Sequence, residues 1–284
     1  MAWGNRTVIA ERDGLRVIDD GGWIHLEEPI SIDYAAAFWE KEHPDALEQA
    51  LAQKPWLDRM YGVWLSELAS LTRGRTLMDI GSGYGLFVDR ALQNGWSAFG
   101  LELSESAAEY AETIQPGRTI CTNWEQWSGT WDVISAMWLL EHLMNPIEFL
   151  AWAEQNLAPN GVLMLVVPNE WTELQWQAND KAAVKNWWIH RTHYSYFSWD
   201  SLEAVLARVG FSIVRRMGTF PMEKFILGGW DYTKDHERGR KAHESIERLE
   251  TATGPAKLRL FYTTLGEAGE GRDIVAFCKR EDEV

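Results

Sequence analysis

From Thr76 onward, short apolar runs alternate with segments whose apolar positions recur at helical spacing, the pattern of a parallel sheet covered on both faces. The strands predicted are Thr76 to Ile80, Trp96 to Leu101, Arg118 to Cys121, Trp131 to Trp138, Val162 to Val167, Phe211 to Met217 and Asp273 to Lys279. A helix over Leu86 to Gln93 is closed by Asn94-Gly95. Another, Pro146 to Leu157, has Asn145 as N-cap, proline in its first turn and Pro159-Asn160-Gly161 beyond its end. A third runs from Trp199 to Val209, with Ser198 as N-cap, Leu202, Val205, Leu206 and Val209 on one face, and Gly210 as stop. The expected fold is α/β: a Rossmann-like seven-stranded sheet with helices on both faces.

The flanks read differently. Arg6 to Ala10 and Leu15 to Leu26 are β-rich, and Asp13-Gly14 and Gly21-Gly22 mark turns, so a small sheet or hairpin precedes the main domain. Tyr34 to His43 and Ala46 to Leu71 carry helical periodicity, interrupted near Pro55. Residues 1–72 are thus expected to form a hairpin and helical cap, and residues 73–284 the sheet domain. Within that domain, 169–197 is a lid-like insertion after the fifth strand, and 228–270 an insertion after the sixth. His236 to Thr251 is rich in both acids and bases and reads as a solvated helix, with Glu247 and Glu250 on its wet face.

A net charge of -15 argues against an electrostatic grip on nucleic acid, which needs clustered Lys and Arg to neutralise phosphates. The two cysteines, Cys121 and Cys278, lie far apart in apolar strand-like stretches and suggest neither a disulfide framework nor a zinc site. They read as core thiols in a reducing cytosol. The N-terminus lacks the basic and apolar blocks of a signal peptide, and no apolar run approaches the roughly 20 residues that span a bilayer. A cytoplasmic protein without membrane partners is expected, as a monomer or a homodimer.

The segment TLMDIGSGYGLFVDRALQNGWSAFGLELS, residues 76 to 104, carries the clearest chemistry. It reads as strand, glycine loop, helix, strand and acid. Glu102 stands some twenty residues beyond the first glycine, where a carboxylate accepts hydrogen bonds from both hydroxyls of a ribose. Dinucleotide folds use G-x-G-x-x-G to bring amides against a pyrophosphate. Here the loop is Gly81-Ser82-Gly83-Tyr84-Gly85, with Asp79 ahead of it. A carboxylate beside the glycines repels a pyrophosphate but suits a ligand with an ammonium group and a sulfonium. An NAD-dependent oxidoreductase would need glycine spacing that this loop does not supply. A scaffold protein that keeps the cofactor fold without turnover is the other alternative, and nothing in the loop is damaged.

Asp79, Gly81, Gly83, Gly85 and Glu102 resemble the first motif of class I S-adenosylmethionine-dependent methyltransferases, D-x-G-x-G-x-G followed by an acid ending the second strand. The segments WDVISAMWLLEHLMNPIEFL (131 to 150), LAPNGVLMLVVPNE (157 to 170) and HRTHYSYFSWDSLEAVLARVGFSIV (190 to 214) are similar to later blocks of the branch that methylates small molecules, including ubiquinone precursors and sugars. The resemblance covers roughly residues 70 to 217. It implies methyl transfer from S-adenosylmethionine, with S-adenosylhomocysteine as product, to a small-molecule acceptor, at oxygen of a sugar-like or aromatic metabolite. Cofactor contacts are then expected from Asp79, Gly81, Ser82, Gly83, Gly85, Glu102, Leu103 and Met137, with Asn123 and Trp124 after the third strand beside the adenine. Relatives often begin with a cysteine-based zinc ribbon; here GLRVIDDGGWIHLEEP holds that place without cysteines.

Methyl transfer to oxygen or nitrogen needs alignment of the nucleophile and a base for the acceptor proton, and histidine suits neutral pH. His142 is the first candidate because it follows the carboxyl end of the fourth strand, where ligands of open α/β sheets collect. His190 and His193 fall in the insertion after the fifth strand and are further candidates. Ubiquinone-type relatives hold a metal at Glu-x-x-Glu-His after this strand. This chain reads Trp138-Leu139-Leu140-Glu141-His142, so the first acid is missing and no metal site is expected. Of seventeen tryptophans, Trp171, Trp176, Trp187, Trp188 and Trp199 fall in or just after the insertion, which fits either an aromatic-lined cleft or the packing of a cap.

Overall fold

A computed structural model describes residues 6–28 and 45–284; the predicted helix Tyr34 to His43 lies outside them. The described chain contains a seven-stranded sheet in the order β10-β11-β8-β7-β4-β5-β6. Its strands are β4 (Thr76–Ile80), β5 (Ser97–Glu102), β6 (Thr119–Cys121), β7 (Trp131–Met137), β8 (Leu157–Pro168), β10 (Phe211–Gly218) and β11 (Asp273–Arg280). All neighbours are parallel except at β11, which runs antiparallel to both β8 and β10.

The near-continuous apolar strands are explained by two cores. Leu163, Leu165 and Val167 of β8 join Met78 and Ile80 against Phe149 and Leu150 of the helix Pro146–Asn156 and Leu202 and Val205 of the helix Trp199–Ala207. The alternate residues Val162, Met164 and Val166 join Leu77 and Val133 against Trp64 and Leu68 of the helix Ala46–Leu71 and Phe87 of the helix Leu86–Gln93. The period of two along each strand thus feeds opposite layers. Asn145 occupies the predicted N-cap position but makes no side-chain cap bond, whereas Ser198 forms a full capping box with Ser201.

Four sequence expectations change. The helix Ala46–Leu71 runs through Pro55 without a break. A proline inside a helix costs about 3 kcal/mol, and burial of Met60, Tyr61, Trp64 and Leu68 along the same helix outweighs it. The fifth strand begins at Leu157, which pairs with Trp131, so the helix before it ends one residue early and Pro159-Asn160-Gly161 falls inside the strand's span. Cys121 is exposed on the edge strand β6, and only Cys278 is a core thiol. Glu250 is no solvated side chain: at 2% exposure, its Oε2 accepts hydrogen bonds from Trp56 Nε1 at 2.6 Å and Tyr262 Oη at 2.7 Å. It lies on the helix His236–Ala252, and Tyr262 on a second helix, Pro255–Glu267, which periodicity did not show. Glu247, nearby, accepts from Gln53 at 2.9 Å.

The N-terminal β-rich pieces form β1 (Arg6–Arg12), β2 (Leu15–Asp20) and β3 (Trp23–Leu26), joined by the turns expected. A fourth strand, β9 (Ser195–Tyr196), comes from the insertion after β8 and pairs with β3 through Ile24↔Tyr196 and His25↔Ser195. Arg12 Nη1 donates to the carbonyls of Trp187 at 2.6 Å and Ile189 at 3.1 Å, and Trp23 Nε1 to Ser195 Oγ at 3.0 Å. These bonds and the β3–β9 pairing tie the N-terminal strands and the insertion after β8 into one layer. No helix among the described residues is long and apolar enough to cross a membrane.

Candidate functional site

The glycine loop leaves β4 and folds back on β5, where the amides of Gly81 and Ser82 both donate to the Leu101 carbonyl, at 2.8 and 3.0 Å. Two glycines are required by geometry. Gly85 has φ +72°, and a Cβ there would lie 2.9 Å from Ala111 Cβ and Gln115 Oε1. Gly83, at φ +52°, has open space where a side chain would point. Its amide donates to Glu102 Oε2 at 2.7 Å, while the amides of Leu103 and Ser104 donate to Oε1 at 2.8 Å. The carboxylate is thereby aimed at the loop before any ligand arrives. The Leu103 side chain is 54% exposed beside it.

Asp79 sits in the sheet at 1% exposure, with Ser135 Oγ donating to its Oδ1 at 2.7 Å. Burial pushes its carboxyl up to about 7, against the lowering effect of the serine bond and with a small push from Glu102. Its Oδ2 and the Ser82 hydroxyl are buried without a protein partner. An open cradle at Gly83, an oriented Glu102 and an orphaned carboxylate oxygen together fit a ligand that carries a ribose and a cationic group. At the third strand, Asn123 caps a short 3₁₀ turn by accepting from the Glu125 amide at 3.3 Å, and the Trp124 ring packs against Phe149 and Trp152. Met137 ends β7 half-buried.

After β7 the backbone turns at Trp138, whose φ of +51° is unusual for a bulky residue and marks a constrained junction. Its amide donates to the Val166 carbonyl at 2.7 Å and its Nε1 to Asp273 Oδ1 at 3.1 Å. The turn Leu140–His142 follows and places His142 beside the insertion. His142 Nδ1 lies 2.6 Å from the Thr192 carbonyl. A carbonyl only accepts, so Nδ1 carries the proton and Nε2 is left as the basic nitrogen.

All three predicted histidines meet here. The ring of His193 stands 5.1 Å from that of His142 and 4.0 Å from that of His190. Glu170, just beyond β8, faces His193 Nδ1 with its Oε1 at 3.1 Å. His190 Nδ1 is 2.6 Å from Thr192 Oγ1. Burial lowers all three imidazoles, His142 to about 4 and His190 and His193 to about 3, so each is neutral at physiological pH. Burial raises Glu141, and raises Glu170 to about 8 even though the buried Arg272 pulls the other way. Both glutamates are 1% exposed.

Glu170, Thr192 and Arg272 were not singled out in the sequence. The acid just beyond the fifth apolar strand was the available signal for Glu170; nothing local marks the other two. Trp171, Trp187 and Trp188 pack on one another and on Val17, Leu26 and Tyr196, so this aromatic group is the core of the small sheet rather than the wall of a cleft. Trp176 stays 40% exposed at its edge.

A family model described as a methyltransferase domain matches residues 53–216, more than half of the chain. The cyclopropane mycolic acid synthase MmaA2 of Mycobacterium tuberculosis is 28% identical over 252 residues, covering 79% of this chain and 84% of that protein. The ubiquinone biosynthesis O-methyltransferase of Pseudomonas paraeruginosa is 25% identical over 115 residues, covering 37% of this chain and 49% of that protein. Among solved structures, the plantazolicin methyltransferase BpumL, in complex with a monoazolic desmethylPZN analog and S-adenosylhomocysteine, superposes with a TM-score of 0.56 at 16% identity, covering 88% of this chain and 95% of that one.

Proposed function

The chain belongs to the methyltransferase-domain family and is a class I S-adenosylmethionine-dependent methyltransferase of small molecules; on that premise we propose that it methylates a hydroxyl oxygen of a sugar-like or aromatic metabolite, with His142 as general base. S-adenosylmethionine supplies an electrophilic methyl group on a positively charged sulfur. Everything else falls to the chain. Glu102, held by three amides, takes the ribose hydroxyls; Gly81, Ser82, Gly83 and Gly85 leave room for the ligand against the backbone; Asp79 faces its cationic end; Leu103, Asn123, Trp124 and Met137 border the adenosine.

The observation that carries the base assignment is the bond from His142 Nδ1 to the Thr192 carbonyl, which presents a deprotonated Nε2 at the carboxyl edge of β7. The His142 side chain keeps 29% exposure, so an acceptor hydroxyl can reach it. Glu141 Oε1 lies 4.0 Å from the same Nε2, but burial favours its neutral form, so the base acts through the Thr192 bond and its position rather than through a charged partner. His190 and His193, beside it, border the acceptor. A lining of three imidazoles favours an acceptor that brings hydroxyls. The segment 169–197 and the N-terminal strands, tied together through β3 and β9, form the cap that selects it.

The similarity to a cyclopropane mycolic acid synthase, which extends over more of the chain than that to the ubiquinone enzyme, supports a second reading in which carbon of a lipid acceptor is methylated. Incubation of the protein with S-adenosylmethionine labelled in its methyl group, against pools of hydroxylated metabolites and of unsaturated lipids, separates the two. Label that is retained only in the lipid pool would overturn the oxygen reading.

A further inference from the structure

Glu170 closes a second group of donors with His190 and His193, and the methyl-transfer reading gives the acid no role. It lies just beyond β8, 1% exposed, and while Oε1 faces His193 Nδ1 at 3.1 Å, Oε2 is buried with no partner. Leaving a carboxylate oxygen unsatisfied in the interior is costly, and such an atom calls for an explanation. His190 and His193 come from the turn of the cap above it, their ring centroids 4.0 Å apart. Thr192 Oγ1, at 2.6 Å from His190 Nδ1, holds that ring, and with Nδ1 donating to the hydroxyl the lone pair of Nε2 is free for a metal. One donor atom each from Glu170, His190 and His193 lies within 4.8 Å of the others. In a tetrahedral zinc site with bonds of about 2.0 to 2.1 Å, donor atoms stand roughly 3.3 Å apart. The Glu170–His193 pair is already at that spacing, and the third ligand needs a shift of roughly 1.5 Å at most.

We propose that Glu170, His190 and His193 bind one zinc ion, with a fourth position left to water or to an oxygen of the acceptor. Two imidazoles and one carboxylate with an open position form the donor set of reactive rather than closed structural zinc sites. Arg272 opposes a cation here, but its guanidinium is engaged with Glu223 at 3.4 Å, and Asp273 stands next to it in the chain. A neighbouring group, Glu141, His142 and His193, shares one ligand with this site. It occupies the locus where the resemblance places a metal, and there Trp138 replaces the acid. The two groups differ in their carboxylate and in one histidine.

The proposal shares His190 and His193 with the acceptor reading but is tested without turnover, so its failure and the failure of that reading are distinguishable. Protein stripped with a chelator is titrated with Co²⁺ and followed by visible absorption, then with Zn²⁺ in competition, and metal content is measured after dialysis. One equivalent of Co²⁺ with the intense visible bands of a four- or five-coordinate ion, displaced by Zn²⁺, is expected. The bands are lost in Glu170→Gln and in His190→Ala, and kept in Glu141→Gln and in His243→Ala, a surface control. Circular dichroism of each variant separates loss of ligand from loss of fold, and the titration of the unaltered protein stands without them. Absence of saturable uptake by the unaltered protein overturns the proposal. So does a signal kept in Glu170→Gln but lost in Glu141→Gln, which would put the ion on the other group.

Discussion

Glu102 and Gly83 are joined by a hydrogen bond of 2.7 Å from the glycine amide to the carboxylate, so the acid at the end of β5 and the loop after β4 form one unit. Two further amides hold the other oxygen, so backbone groups alone fix the orientation of the carboxylate. Glu102→Ala is expected to weaken S-adenosylmethionine binding by about 1 to 3 kcal/mol through loss of charge-assisted hydrogen bonds. Gly83→Val is expected to abolish binding, both because a side chain enters the open cradle and because a β-branched residue resists positive φ. Calorimetry gives both, and unchanged affinity in the two variants would remove the cofactor from this loop.

Asp79 makes stability depend on pH. Its carboxyl moves from an ordinary 3.8 to about 7 on folding. Between those values the folded state holds a proton that the unfolded chain has lost, so the contribution is present at low pH and is lost as pH rises through about 7. At about 1.4 kcal/mol per unit, the whole shift corresponds to roughly 4 kcal/mol. Asp79→Asn should therefore be more stable than the parent protein at about pH 8 and level with it near pH 4. Urea unfolding at the two pH values checks this, and a variant less stable at the higher pH would show that the ionised form is favoured by the fold.

His142→Ala is expected to lower kcat by about 10² to 10⁴ with donor affinity nearly unchanged, while His193→Ala mainly raises the KM for the acceptor. Steady-state kinetics with both substrates varied distinguishes these. The reverse pattern would move the base into the cap, and full activity in both variants would leave positioning alone to drive transfer.

Tyr262→Phe removes the hydroxyl that donates to the buried Glu250 at 2.7 Å. Trp56 remains as a donor at 2.6 Å, so the loss is expected to be about 1 to 3 kcal/mol of stability rather than collapse. Denaturant titration measures it. A variant of parental stability would mean that Glu250 finds its proton or partner elsewhere.

Local order was legible in the chain because its causes are local. Apolar runs, caps and glycine spacing act over a few residues, and the strands, the helix Leu86–Gln93 and the loop with Glu102 follow from them directly. The helix Pro255–Glu267 escaped because its apolar face is mixed with threonines and exposed residues such as Leu260 and Phe261. Pro55 misled because propensity is a weak term against the burial that the helix gains along its length.

The sequence by itself determined the alternating sheet, the cofactor loop and the presence of histidines near the carboxyl edge. Only the tertiary structure decided which groups meet: that Glu170 lies against His193, that Thr192 sets the tautomer of His142, and that Glu250 is buried between Trp56 and Tyr262. The physical reason is the same in each case. Burial and hydrogen bonding change the charge state and partners of an ionisable side chain, and both depend on residues 12 to 194 positions away in the chain, which no local pattern records.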